Sequence, residues 1–481
     1  MKRMFCLLLA VLMVVALCAC GSKEPSVGKK KGLHVGFGQA DITPEFGVPL
    51  GGYGNVESRL ATGMIDKLYA SCLAFQDGED VLLLYSFDAI RSVQNWTDEL
   101  RARVSIATGV KAENIMVTST HTHSAPELNY SGENVAQTYR DKYMAGALEA
   151  AQAAIADMDK ATLSMGSVTT EKMAYVRHYE MNGGSYAGSN FGDFNYGIKD
   201  YATDNDPQMR LVKIDREGEE KKDILLCNWQ VHPCFTGGAD QYNISADFIG
   251  VARNEIKTQT GMEFFYIQGA AGNQSGFSLI AEDNNGLDNN GYGKAVAKYA
   301  MEAMDSLTPV EGSGIRVVSK DIEYTVNREG SDEETQKKAK EIVDLWVTSG
   351  SRDIANALAK EYGIQSVYEA NAILDRATRT KETDIIHLDV TNIAGIAFVH
   401  APYEMFSDTS LYLKQKSPFG ENMVIATMSN NAWGYFPSKF AYQYGCYESY
   451  GAMFTAGVAE DMANEFISMM EEAKTPVQTE Q

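Results

Sequence analysis

Apolar positions along this chain follow two periods. Val81–Phe87, Ile115–His123, Ile224–His232 and Ile393–His400 are short runs rich in aliphatic and β-branched residues and read as strands, with Phe264–Ile267 the apolar part of another. Trp96–Thr108 has helical spacing, and Tyr139–Met158 is an Ala-rich helix. Ser331-Asp332-Glu333-Glu334 resembles a capping box opening a helix through Trp346, and two more helical stretches precede the strand at 393. This alternation predicts an α/β fold, a layered mixed β-sheet with surrounding helices. No break in composition divides 33–470, which is expected to be a single large domain with 331–380 as a helical insertion over one face.

The N-terminus follows neither period. Lys2 and Arg3 precede an apolar run from Met4 to Leu17, too short to span a membrane with margin, and Leu17-Cys18-Ala19-Cys20 closes it. The Leu-x-Ala-Cys ending resembles the bacterial lipobox. That resemblance implies a signal peptide over 1–19, lipid attachment at Cys20 and an extracytoplasmic location on the cell membrane. Residues 20–32 read as a flexible, lysine-rich tether and 471–481 as a polar tail.

Composition narrows the partners. Lys and Arg number 42 against 64 Asp and Glu, a net charge of −22, with no basic stripe to attract a phosphate backbone. Nucleic acid is excluded as a partner on that ground. The cysteines form no C-x-x-C; a Cys227–Cys234 bridge and free buried thiols are both compatible with the spacing. The acidic loop Glu282–Asp288 lacks EF-hand spacing and reads as a solvated loop.

Only seven histidines occur, yet two of them form Thr120-His121-Thr122-His123-Ser124-Ala125-Pro126, a pairing that chance gives about 0.1 times in such a chain. In an extended segment His121 and His123 would share a face at a strand end, the usual location of α/β sites. Neutral imidazoles there suit zinc, and hydrogen-bonded structural histidines suit the pattern as well. His232 stands in Asn228-Trp229-Gln230-Val231-His232-Pro233, another strand stopped by proline, which suggests one site shared with the first pair. Gly269-Ala270-Ala271-Gly272-Asn273-Gln274-Ser275-Gly276 is neither a nucleophile elbow nor a Walker loop; its small residues either admit a ligand close to the backbone or simply make a tight turn.

Taken in order, Gly38-Gln39-Ala40-Asp41-Ile42-Thr43-Pro44, Gly51-Gly52-Tyr53-Gly54, the THTHSAP segment, Val231-His232-Pro233, Gly272-Asn273-Gln274-Ser275, Pro402-Tyr403-Glu404, Trp433-Gly434-Tyr435 and Gly445-Cys446-Tyr447-Glu448 resemble the catalytic domain of the neutral/alkaline non-lysosomal ceramidases. The resemblance runs from about Leu33 to Met470. It implies one Zn2+ per chain held by His121, His232, Glu404 and Tyr435, with His123, Arg177, Tyr447 and Ser275 as catalytic groups. It also implies hydrolysis of the N-acyl amide bond of ceramide or a related N-acyl lipid to a fatty acid and an amine by zinc-activated water. Ser275 is expected either to position substrate or to act as nucleophile, with zinc hydroxide favoured because no His-Asp partner for it is evident.

Three departures stand out: Gly-Asn-Gln-Ser-Gly replaces the family's usual Gly-Asp-Val-Ser-Pro, Tyr403 stands where a glycine usually precedes the glutamate, and Tyr175–Tyr179 around Arg177 matches loosely. The family's C-terminal β-sandwich is expected to be lacking. Alternatives on the same fold are a zinc-dependent esterase, a hydrolase of a soluble amide, and a non-catalytic binding lipoprotein.

Overall fold

The computed structural model describes residues 28–53, 58–128, 135–188, 192 and 194–475. The expected signal peptide, Cys20, the expected tether through residue 27, Gly54 of the second motif and the residues from 476 lie outside the described residues.

The main sheet comprises β1 (Lys30–Asp41), β2 (Tyr69–Gly78), β3 (Asp80–Phe87), β4 (Ile115–Ser119), β5 (Asp159–Thr169), β6 (Gln208–Arg216), β7 (Ile224–Trp229) and β8 (Glu263–Gln268). Their spatial order is β8-β7-β6-β5-β1-β2-β3-β4. The pairs at the two edges, β3–β4 and β7–β8, are parallel, whereas the interior pairs are antiparallel. A second sheet, β9 (Ile315–Thr325), β10 (Thr383–Ile393), β11 (Ile396–His400) and β12 (Met423–Ala426), ends in another parallel pair.

Side-chain alternation explains the layering. In β3, Leu82 and Leu84 join a core that also contains Ile396, Phe398 and Val424 of the second sheet, while Leu83 and Tyr85 turn the other way. There they meet Leu100 of α1 (Gln94–Thr108) and Ala147, Ala150 and Ala154 of α2 (Val135–Asp157). The β7–β8 half packs on α3 (Phe248–Thr260) and α4 (Asn289–Ala303). The outer face of the second sheet is covered by the C-terminal helix Val458–Lys474 through Met462, Phe466 and Met470. Helices thus flank two stacked sheets.

Between β9 and β10, which pair directly along their length, stand three helices: α5 (Glu333–Ser349), α6 (Arg352–Glu361) and α7 (Val367–Ala377), with an apolar cluster of their own. The cap of α5 differs from expectation by one residue. Asp332, not Ser331, accepts from the backbone N–H of Thr335.

Several strands are also shorter than their apolar runs. The run from 393 is not a single strand: it is broken at Ala394 and Gly395, both at positive φ, and Ile393 pairs with Ile396 across a two-residue hairpin turn. β4 and β7 stop before their histidines. Cys72, Cys227, Cys234 and Cys446 are free thiols, so Cys227 and Cys234 are not bridged.

Candidate metal centre

Four chain segments leave the C-terminal ends of strands and converge. After β4 the chain turns at His121, whose φ is 66°, so His121 and His123 do not share a strand face as an extended segment would require. The turn is fixed by backbone bonds from Thr120 N to Phe87 O and from His121 N to Ala89 O. His123 is anchored on the opposite side, its N–H donating to Pro233 O and its carbonyl accepting from buried Arg59 at 2.6 Å. A Cβ at Gly52 would stand 2.5 Å from the His123 ring, so only glycine admits that approach.

His232 follows β7 and is tied by its N–H to Gln274 O. Glu404 follows β11, its backbone paired in parallel with Tyr435 and its N–H donating to Gly434 O. The glycine-rich loop closes the floor: Gly272 N donates to Met405 O, and a Cβ there would be 2.8 Å from the carbonyls of Glu404 and Met405.

The hydrogen-bond account of these side chains does not close. His121 Nδ1 lies 2.6 Å from Ile90 O and His232 Nδ1 2.7 Å from Ala271 O, so each ring donates through Nδ1 and, in its neutral form, bears a lone pair on Nε2. Those two Nε2 atoms face each other at 3.1 Å. Glu404 Oε2 is 3.3 Å from one and 3.4 Å from the other and makes no well-formed hydrogen bond. Buried His123 leaves both ring nitrogens unpaired beside them. Burial lowers His232 to about 4 and drives His123 well below its ordinary value, so neither ring carries charge at neutral pH. Burial by itself would raise Glu404; positive charge beside it, from a protonated neighbouring imidazole or a bound cation, is what holds its carboxyl well below the usual range.

Each buried polar atom left without a partner costs on the order of 1–3 kcal/mol, and lone pairs in mutual contact add repulsion. A cation among them removes both costs. The donor set of imidazole nitrogens and carboxylate oxygen, with each imidazole's far N–H on a backbone carbonyl, fits zinc. These residues can hold a metal ion.

The remaining predicted residues lie around this pocket. Tyr435 stacks 6.5 Å from the His232 ring, and burial pushes its phenol well above 10. The Arg177 guanidinium carbon lies 5.6 Å from the centre of the Tyr435 ring. Tyr447 is half exposed at the rim, 6.0 Å from Tyr435. Ser275 pairs its backbone with Tyr175, two residues before Arg177, and its Oγ accepts from Phe277 N; among the described residues no histidine or carboxylate hydrogen-bonds to it.

Sequence reasoning missed the support behind Arg177. Glu448, completely buried, accepts from Arg177 Nε at 2.8 Å and from His178 Nε2 at 2.9 Å. Glu448 was visible as part of a motif and His178 as one of few histidines, but nothing in the sequence joined them.

Fold and pocket together define an α/β enzyme class with a buried histidine–carboxylate centre at the strand ends. The sequence profile of the N-terminal domain of neutral/alkaline non-lysosomal ceramidases matches residues 33–314, more than half of the chain. The chain therefore belongs to that family, hydrolases acting on linear amide C–N bonds. No curated protein sequence matches it. Among solved structures, neutral ceramidase from Pseudomonas aeruginosa is similar at 18% identity and a TM-score of 0.66, covering 94% of this chain and 76% of that one. A ceramidase complexed with C2 is similar at the same identity and TM-score, covering 94% of this chain and 77% of that one. At that identity the likeness establishes the fold.

Proposed function

We propose that this protein hydrolyses the N-acyl amide bond of ceramide or a related N-acyl lipid, releasing a fatty acid and a sphingoid-type amine, with one Zn2+ held by His121, His232, Glu404 and Tyr435. The observation that carries this reading is the pair of buried Nε2 lone pairs facing each other at 3.1 Å beside an unpaired Glu404 oxygen. Zinc bound there would supply a Lewis acid and lower the pKa of a bound water to about 7.

The chain's own groups do the rest. Arg177 presents a fixed positive charge to an acyl oxygen as negative charge develops on it. His123, neutral and with unpaired ring nitrogens, can hydrogen-bond water or the substrate amide beside the metal-binding residues. Tyr447, half exposed at the rim, offers a hydroxyl donor to the substrate. Ser275 is assigned to positioning the substrate, because no base reaches its hydroxyl. Similarity to a neutral ceramidase and to a ceramidase complexed with C2 supports the N-acyl lipid assignment.

We place the enzyme outside the cytoplasm, on the cell membrane through lipidated Cys20, on the strength of the Leu17–Cys20 sequence. Loss of radiolabelled lipid incorporation in Cys20→Ser would support the anchor, and unchanged labelling would refute it. For the reaction, soluble protein lacking residues 1–20 is assayed for metal content and for fatty acid release from a fluorescent ceramide, alongside His121→Ala. Zinc and turnover together, both lost in the variant, are expected. Zinc with turnover only of esters or short amides would redirect the substrate class, and absence of zinc would overturn the mechanism.

A further inference from the structure

The second buried cluster of metal-ligand residue types, His178, Cys446 and Glu448, is already saturated with hydrogen bonds. Glu448 accepts from Arg177 through one carboxylate oxygen, at 2.8 Å from Nε and 2.6 Å from the adjacent terminal nitrogen, and from His178 Nε2 through the other. The Tyr444 hydroxyl lies 2.7 Å from His178 Nδ1 and donates to it in the neutral ring. Arg177 spends a further N–H on Gly272 O at 2.8 Å. Burial keeps the Cys446 thiol protonated, and it accepts from the Ser449 backbone N–H as a helix cap. Every ring nitrogen and carboxylate oxygen of the cluster already has a hydrogen-bond partner.

The backbone shows that this arrangement is specific. Arg177 and His178 are consecutive, and in a straight strand they would point to opposite faces. The strand is broken at Arg177, between Tyr175–Val176 and His178–Met181, and both side chains reach the same carboxylate some 270 positions away.

We propose that Glu448, held by His178, which Tyr444 braces in turn, is a positioning residue that fixes the Arg177 guanidinium against the pocket, so that this charge is oriented before substrate arrives. Preorientation matters because a mobile arginine would spend its stabilisation of the developing oxyanion on reorganisation. The proposal rests on the role given to Arg177 in amide hydrolysis.

The experiment is a double-mutant cycle on the zinc-loaded protein, with a readout independent of turnover. Glu448→Gln is expected to lower kcat about 100-fold with KM changed less than about threefold and zinc content unchanged. In an Arg177→Ala background the same substitution is expected to cost less than about threefold. Separately, phenylglyoxal labelling of Arg177, mapped by mass spectrometry, is expected to rise several-fold in Glu448→Gln. Tyr444→Phe, which deletes a single peripheral hydroxyl, provides a variant that folds, with an expected loss of about three- to tenfold and intermediate labelling. Equal losses in both backgrounds, or unchanged labelling of Arg177, would overturn the proposal. An inactive wild type with increased Arg177 labelling in Glu448→Gln would instead refute the assigned reaction and leave the positioning role standing.

Discussion

Two buried clusters in this protein are built from the same residue types, and they behave oppositely. Around His121, His232 and Glu404 the imidazoles give their N–H groups away to backbone carbonyls and turn bare nitrogens toward each other and toward a carboxylate oxygen. Around His178 and Glu448 every such atom has a donor or acceptor of its own. What marks a metal site is therefore the sign of the hydrogen-bond deficit, not the identity of the side chains. Several buried acceptors without donors call for a cation; a carboxylate clasped by an arginine and a histidine N–H has already found its countercharge and its donors.

The contrast breaks most visibly if His232 is removed. His232→Ala is expected to abolish stoichiometric zinc and reduce turnover by about 10³-fold or more, read by elemental analysis and by fatty acid release. Glu404→Gln removes the buried anion that faces the two imidazoles. Zinc affinity should fall by about 100-fold or more, measured by competition with a chelating dye.

Chelation of the wild-type protein should lower its stability by about 2.7 kcal/mol relative to zinc at a hundredfold excess over Kd, seen as a Tm decrease in calorimetry. His178→Ala sharpens the other half of the contrast. It deprives buried Glu448 and Tyr444 of a partner, so stability should fall by about 1–3 kcal/mol in denaturant titration.

The smallest effect belongs to a third histidine–carboxylate pair, half exposed on the second sheet. Hydrogen bonding to Asp389, and then to Asp321, outweighs partial burial and raises His387 to about 9. Its stabilisation is fully present below the ordinary histidine pKa of about 6.5 and disappears as pH rises through about 9. His387→Gln should flatten the dependence of Tm on pH across that window.

Much of this organisation was legible in the sequence. Runs such as Val81–Phe87 and Tyr139–Met158 carry their periods openly, and helices stand between Glu333 and Ala377, where the sequence pattern reads as helical. The ordered motifs brought His121, His232, Glu404 and Tyr435 onto one list, and the structure brings the first three within 3.4 Å of one another. Local errors have local causes. Ala394-Gly395 carried a turn signal inside an apolar run, and the left-handed residue at His121 carried none, because tertiary bonds to Ala89 and Ile90 impose it. The Arg177–Glu448 clasp was illegible for a different reason: pairing across 271 positions is decided by tertiary packing, which no window of sequence contains.

The most direct test of the central claim is the zinc stoichiometry of three purified proteins: wild type, His121→Ala and His178→Ala. One zinc in the wild type, none in His121→Ala and one in His178→Ala is the result the two hydrogen-bond accounts require. Zinc retained by His121→Ala, or a second zinc in the wild type that disappears in His178→Ala, would contradict them.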